Sequence, residues 1–100
     1  MDTHDAAKQL EALGNPTRLT ICQILANSGG TGINVGKINQ VLVIPPSTLS
    51  HHLAKLVNAG LVSQQREGRE LLCRSEPGAM DALVLYLADN CCGDDSEIWG

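Results

Sequence analysis

The chain has 100 residues, the length of one ordinary domain, and 43% of them are apolar, so disorder is not the default reading. A net charge of −4 excludes a uniformly basic nucleic-acid binder, and two aromatics, Tyr86 and Trp99, cannot build a stacking platform for single strands. The charge is unevenly spread, however. Between Pro45 and Ser75 four cations face two acids, leaving +2, whereas elsewhere three cations face nine acids, leaving −6. A duplex responds to that local field rather than to the total. Residues Met1 to Gln9 carry no basic, apolar signal region, and no apolar run approaches membrane-spanning length. A cytoplasmic protein with no membrane partner is expected, with reduced thiols at Cys22, Cys73, Cys91 and Cys92.

Asp2 or Thr3 can cap a first helix running to about Leu13, with Ala6, Leu10 and Leu13 on one stripe. Gly14-Asn15-Pro16 ends it and starts a second helix, which suits a proline in its first turn. From Thr17 to Ala26 the apolar positions run nearly all round, predicting a central, buried helix. Ser28 to Gly32 reads as a turn, and Val35 to about Leu42 as a short helix with Val35, Ile38, Val41 and Leu42 inward. Ile44-Pro45-Pro46 must break it. Ser47 to Asn58 forms the next helix, closed at Gly60.

The period then changes. Leu61 to Arg66 and Glu70 to Ser75 read as two strands joined at Glu67-Gly68. Pro77 opens a last helix to about Asn90, apolar over most of its circumference. Such a terminal helix needs a second surface to cover it, and a symmetric twin is the expected cover. The acidic segment from Gly93 to Gly100, Trp99 included, reads as a loose tail to a single domain spanning residues 1–100.

Within Ser47–Asn58, steps of ~100° per residue gather Leu49, Leu53, Leu56 and Val57 on one face. The opposite face holds Ser47, His51, Ala54, Lys55 and Asn58, with Thr48 on the flank and Ser50 beside them. Short hydroxyls, an imidazole and an ammonium suit base edges and phosphates in a major groove. Arg66 and Arg69 flank the hairpin tip, where a wing touches the minor groove or backbone. A solvated face and two solubilising arginines are the bland alternatives. A short helix and proline break before, a hairpin after and the local shift in charge together favour the DNA reading.

The run Leu13-Gly14-Asn15-Pro16-Thr17-Arg18-Leu19, the segment Ser47-Thr48-Leu49-Ser50-His51-His52-Leu53, then Ala59-Gly60-Leu61-Val62 and Arg66-Glu67-Gly68-Arg69 resemble the arsenic-repressor (ArsR/SmtB) family of metalloregulators. The resemblance spans about Leu10 to Cys92. It implies a mainly α winged helix-turn-helix with five helices and a small β-hairpin, dimerising through its first and last helices. It also implies a repressor that binds an inverted-repeat operator in double-stranded DNA and leaves when an inducer binds.

The inducer has to be argued from residues. Many relatives carry a cysteine pair in the first helix of the helix-turn-helix, where this chain reads Ile33-Asn34-Val35-Gly36-Lys37-Ile38 and has no thiol. Others bind zinc along the last helix, but Met80 to Tyr86 has one acid and no histidine. What remains is Asn90-Cys91-Cys92-Gly93. Adjacent thiols form a soft clamp for thiophilic ions, and a disulfide between neighbours is strained. The Asn-Cys-Cys ending resembles a branch of the family that senses trivalent arsenicals through C-terminal cysteines. There a third cysteine follows, and Gly93 to Gly100 holds none. The expected inducer is therefore a trivalent arsenical, arsenite or preferably methylarsenite, held as a metal-site ligand by Cys91 and Cys92. No other cofactor is expected.

Cys22 and Cys73 read most simply as core or structural thiols. A rival keeps the fold but senses oxidants or reactive sulfur by pairing Cys22 with Cys91 or Cys92. Relatives that do this place the first cysteine one position later. A winged-helix interaction module without DNA binding is a second rival. An enzyme is not expected, since no glycine-rich phosphate loop occurs.

Overall fold

The computed structural model describes residues 1–93, so all of the expected loose tail after Gly93, Trp99 included, lies outside the described residues. In chain order the elements are α1 (Thr3–Leu13), α2 (Pro16–Asn27), β1 (Ile33–Asn34), α3 (Val35–Leu42), α4 (Pro46–Asn58), β2 (Val62–Glu67), β3 (Glu70–Ser75) and α5 (Ala79–Cys91). Side-chain caps start three of the helices. Asp2 accepts from the Asp5 N–H at 2.8 Å, Asn15 from Arg18 at 3.0 Å and Asn34 from Lys37 at 2.8 Å. Each satisfies an N–H that the helix itself cannot pair. Pro16 and Pro46 sit in first turns, where a missing N–H costs nothing.

The helix-turn-helix is α3 and α4. Between them Val43 adopts φ 51°, a left-handed conformation in which a β-branched side chain is strained. The turn is held nonetheless. The Val43 N–H donates to the Asn39 carbonyl at 2.9 Å, and the Asn39 side-chain amide donates to the Ile44 carbonyl.

The hairpin expectation holds with one shift. Glu67 pairs with Glu70, so the turn residues are Gly68 and Arg69 rather than Glu67 and Gly68, and Gly68 supplies the positive φ of 61°. A third strand joins them: β1 pairs antiparallel with β3, Ile33 opposite Cys73 and Asn34 opposite Leu72, giving the order β1-β3-β2. Gly32 permits this approach, because a Cβ there would lie 2.7 Å from the Cys73 carbonyl oxygen. The last helix begins at Ala79 rather than Pro77, since Gly78 takes a φ of 75° and turns the chain before the helix starts.

Ile21, Leu25, Ile38, Leu49, Leu53, Leu56 and Cys73 form the fully buried centre. Each such aliphatic side chain contributes about 1.5–3 kcal/mol by leaving water. Three expectations about facing need correction. In α2 only Ile21 and Leu25 are buried and Leu19 is exposed, so one side faces outward instead of the whole helix being enclosed. In α1 the inward stripe is Ala6, Gln9 and Ala12, while Leu10 is exposed. Small alanines let α1 lie close to α2 and α4, and the Gln9 amide donates to the Ala59 carbonyl at 3.2 Å. In α3, Ile38 is buried but Val41 is exposed, not inward.

The α5 surface bears out the expected surplus of apolar area. Leu83 alone is buried on it, with Val84 57% and Leu85 62% exposed. Tyr86 reaches the Thr3 hydroxyl at 2.6 Å, tying α5 to α1. No helix among the described residues is long and apolar enough to cross a membrane.

Candidate nucleic-acid interface

The α4 helix has two unlike faces. Leu49, Leu53 and Leu56 are fully buried and fix the helix against the core. Ser47, Thr48, Ser50, His51, Ala54 and Lys55 are all exposed on the other side. A helix held this firmly by one face presents the rest as a rigid surface, which is what positioning in a groove requires. At the wing, Arg66 near the end of β2 and Arg69 in the turn are both exposed. Arg74 on β3 donates to the Ser63 hydroxyl at 3.4 Å.

Two polar ties behind this surface have no local signal in the sequence. The first joins α2 to α4. Arg18 donates through Nε to the Ala12 carbonyl at 2.6 Å, and its Nη1 lies 3.1 Å from His52 Nδ1. A guanidinium only donates, so Nδ1 accepts and the His52 ring is neutral. The adjacent histidines therefore part company: His51 is exposed, while His52 is half-buried against Arg18. Burial lowers the His52 pKa from its ordinary 6.5, and the charge of Arg18 and then that of His51 lower it further.

The sign of the consequence follows. An unfolded His52 takes up a proton near pH 6.5, whereas the folded ring resists it until lower pH, so the folded state loses stability as pH falls through that window. His52→Gln should therefore show a smaller fall in Tm than the wild type between about pH 7.5 and 5.5. Equal falls in a paired thermal scan would remove the Arg18–His52 tie as their source.

The second tie joins α1 to α4. Lys55 Nζ lies 3.5 Å from Glu11 Oε1, so Lys55 sits on the α1 side of the exposed face rather than at its centre.

The four cysteines divide two and two. Cys73 is buried and accepts a contact from Gln64 Nε2 at 3.5 Å, while Cys22 is half-buried. Burial raises both thiol pKa values, against which the Gln64 contact pulls Cys73 back in part. Both are thereby kept protonated and poorly reactive. Cys91 closes α5 and Cys92 follows it, and both are exposed. Among the described residues no group of three or more His, Cys, Asp or Glu is arranged to hold a metal ion. Two neighbouring sulfurs fit a thiophilic centre with two open valences better than one needing three or four donors.

Residues 13–65 match the family model described as a helix-turn-helix domain. The chain is similar to the HTH-type transcriptional regulator YgaV of Escherichia coli, 31% identical over 87 residues, which cover 87% of this chain and 86% of that relative. It is also similar to a putative arsenical resistance operon repressor, ArsR, of Halobacterium salinarum. That likeness is 37% identity over 60 residues, covering 60% of this chain and 46% of the relative. Among solved structures it resembles the homodimeric winged helix-turn-helix DNA-binding domain of Mb0332 from Mycobacterium bovis, a possible ArsR-family regulator. The TM-score is 0.70 at 31% identity, with 88% of this chain and 82% of that one covered.

A buried-faced α4 after a short α3, followed at once by an arginine-tipped hairpin, defines a winged helix-turn-helix transcriptional regulator and not an enzyme. Within that class the chain belongs to the ArsR family.

Proposed function

We propose that this chain is a homodimeric repressor that grips an inverted-repeat operator through α4 and the wing, and releases it when a trivalent arsenical closes on Cys91 and Cys92. The observation that carries the DNA half is the two-faced α4: leucines locked in the core, hydroxyls and an imidazole facing out. Ser47, Thr48, Ser50, His51 and Lys55 meet bases and phosphates, and Arg66 and Arg69 meet the neighbouring backbone or minor groove. The exposed Met80, Val84 and Leu85 of α5 and Leu10 of α1 supply the apolar surface on which a twin packs. The description of the Mb0332 domain as homodimeric accords with that arrangement.

The sensing half rests on the partition of thiols. Cys91 and Cys92 are exposed neighbours, while Cys22 and Cys73 are withdrawn into the fold. Methylarsenite brings two hydroxyls on arsenic. Two As–S bonds replace two As–OH bonds, each thiol proton leaving with a hydroxyl as water. Arsenite would keep one oxygen unreplaced at such a pair. The relative described as an arsenical resistance operon repressor supports this class of ligand.

An operator-release titration tests the proposal, comparing arsenite with methylarsenite on wild type, Cys91→Ser and Cys92→Ser. Methylarsenite should release the wild type at lower concentration, and either serine variant should bind DNA normally yet ignore the arsenical. Coupling of about 1–3 kcal/mol suffices for a 5–150-fold loss of affinity. Serine variants that still respond would sink the assignment. A Cys22 disulfide to either terminal thiol, formed on mild oxidation and accompanied by release, would replace it with redox sensing.

A further inference from the structure

Between α1 and α4 runs an open groove of about 520 Å³ that shares His51 and Lys55 with the DNA-reading surface described above and extends from it onto α1. Lys8 and Glu11 line it from α1, and His51, Ala54, Lys55 and Asn58 from α4. All six are exposed. Two ammonium groups, an imidazole and a side-chain amide thus face one cleft, with the short Ala54 leaving room at its wall. One acid opposes them. Glu11 holds Lys55 at 3.5 Å, with the two side chains 72% and 43% exposed, a long and solvated contact that another anion can replace.

We propose that this groove takes one phosphate of the operator backbone, with Lys8 and Lys55 as its cations and Glu11 as the resident anion that the phosphate displaces. The inference rests on α4 lying against DNA. A duplex seated over His51 brings its backbone towards the wall that His51 shares with Lys8, because both line the same cleft. An ammonium on a flexible stem serves a phosphate as a point charge with three donors. Once displaced, the Glu11 carboxylate stays beside the phosphate and repels it. Glu11 therefore holds operator affinity below what the lysines alone would give, and Lys8 becomes a DNA contact outside the helix-turn-helix. Phosphate contacts carry no sequence information, so both effects apply equally to operator and random duplex.

The experiment is an anisotropy titration of the full chain on promoter DNA across a salt series, with wild type, Glu11→Gln, Lys8→Gln and Lys8→Arg. Glu11→Gln should bind several-fold tighter, with a slope of log K against log salt steeper by about one per protomer. Lys8→Gln should bind more weakly with a slope shallower by about one, and Lys8→Arg should restore it. Wild-type binding with unchanged slopes in Glu11→Gln and Lys8→Gln overturns the groove proposal and leaves the α4 reading standing. Absence of wild-type binding overturns both. Inorganic phosphate titrated into the free protein separates the other source of the same chemistry. Saturable shifts of groove amides together with unaltered operator slopes would make this a small-anion site and likewise overturn the proposal.

Discussion

Ser50→Glu is expected to weaken operator binding roughly a hundredfold while leaving the fold intact. Ser50 is exposed on α4, one residue after the fully buried Leu49 and one before the exposed His51. Ser50 is exposed and does not belong to the hydrophobic core cluster, so a longer polar side chain should disturb little packing, and the Tm should stay within about 2–4 °C of wild type, equivalent to about 0.5 kcal/mol. Against DNA the same change places a carboxylate where phosphates and base edges approach. Loss of a hydroxyl contact and the cost of like charges in a partly desolvated interface together reach about 3 kcal/mol, roughly a hundredfold in affinity. An anisotropy titration beside a thermal scan checks it. Binding within about twofold of wild type would mean that this face does not meet DNA.

Leu53→Ala should act through the opposite face. Leu53 is 1% exposed and lies between Leu49 and Leu56 in the layer that anchors α4. Truncation removes apolar contact and leaves a cavity, which costs about 2–5 kcal/mol. A domain of this size has about 5–15 kcal/mol in all, so the Tm should fall by about 10 °C or more. Urea unfolding at fixed protein concentration measures it, because association with a second copy would make the midpoint depend on concentration. A loss below about 1 kcal/mol would contradict the packing of α4 described here. The two variants form a pair: one weakens binding without destabilising the fold, the other destabilises the fold without touching the binding surface.

The five helices and the wing were legible because their signals are local. Asn15-Pro16 and Pro45-Pro46 mark starts, the leucines of α4 keep helical spacing, and β2 and β3 meet across a short turn. β1 was missed, since two residues are too few to show alternation and their pairing depends on Cys73, forty residues on. The α1 stripe was misplaced because leucines outweigh a glutamine when counting apolar positions. The fold instead buries Gln9 by giving its amide a carbonyl fifty residues away. The excess apolar area of α5 was readable from composition along one helix. The ties from Arg18 to His52 and from Glu11 to Lys55 span 34 and 44 residues and carry no pattern in sequence. The thiols were partly readable: Cys91 and Cys92 stand out as neighbours, whereas the depth of Cys73 depends on which face of β3 turns inward.

The central claim is that α4 and the wing, on a chain of net charge −4, hold duplex DNA through a local surplus of cations. Its most direct measurement is the affinity of the wild-type protein for a fragment of its own promoter as a function of salt. Affinity should fall by about tenfold or more between about 50 and 200 mM salt, as expected for several phosphate contacts. An affinity that ignores salt, or no retention of the fragment at the lowest salt, would contradict it.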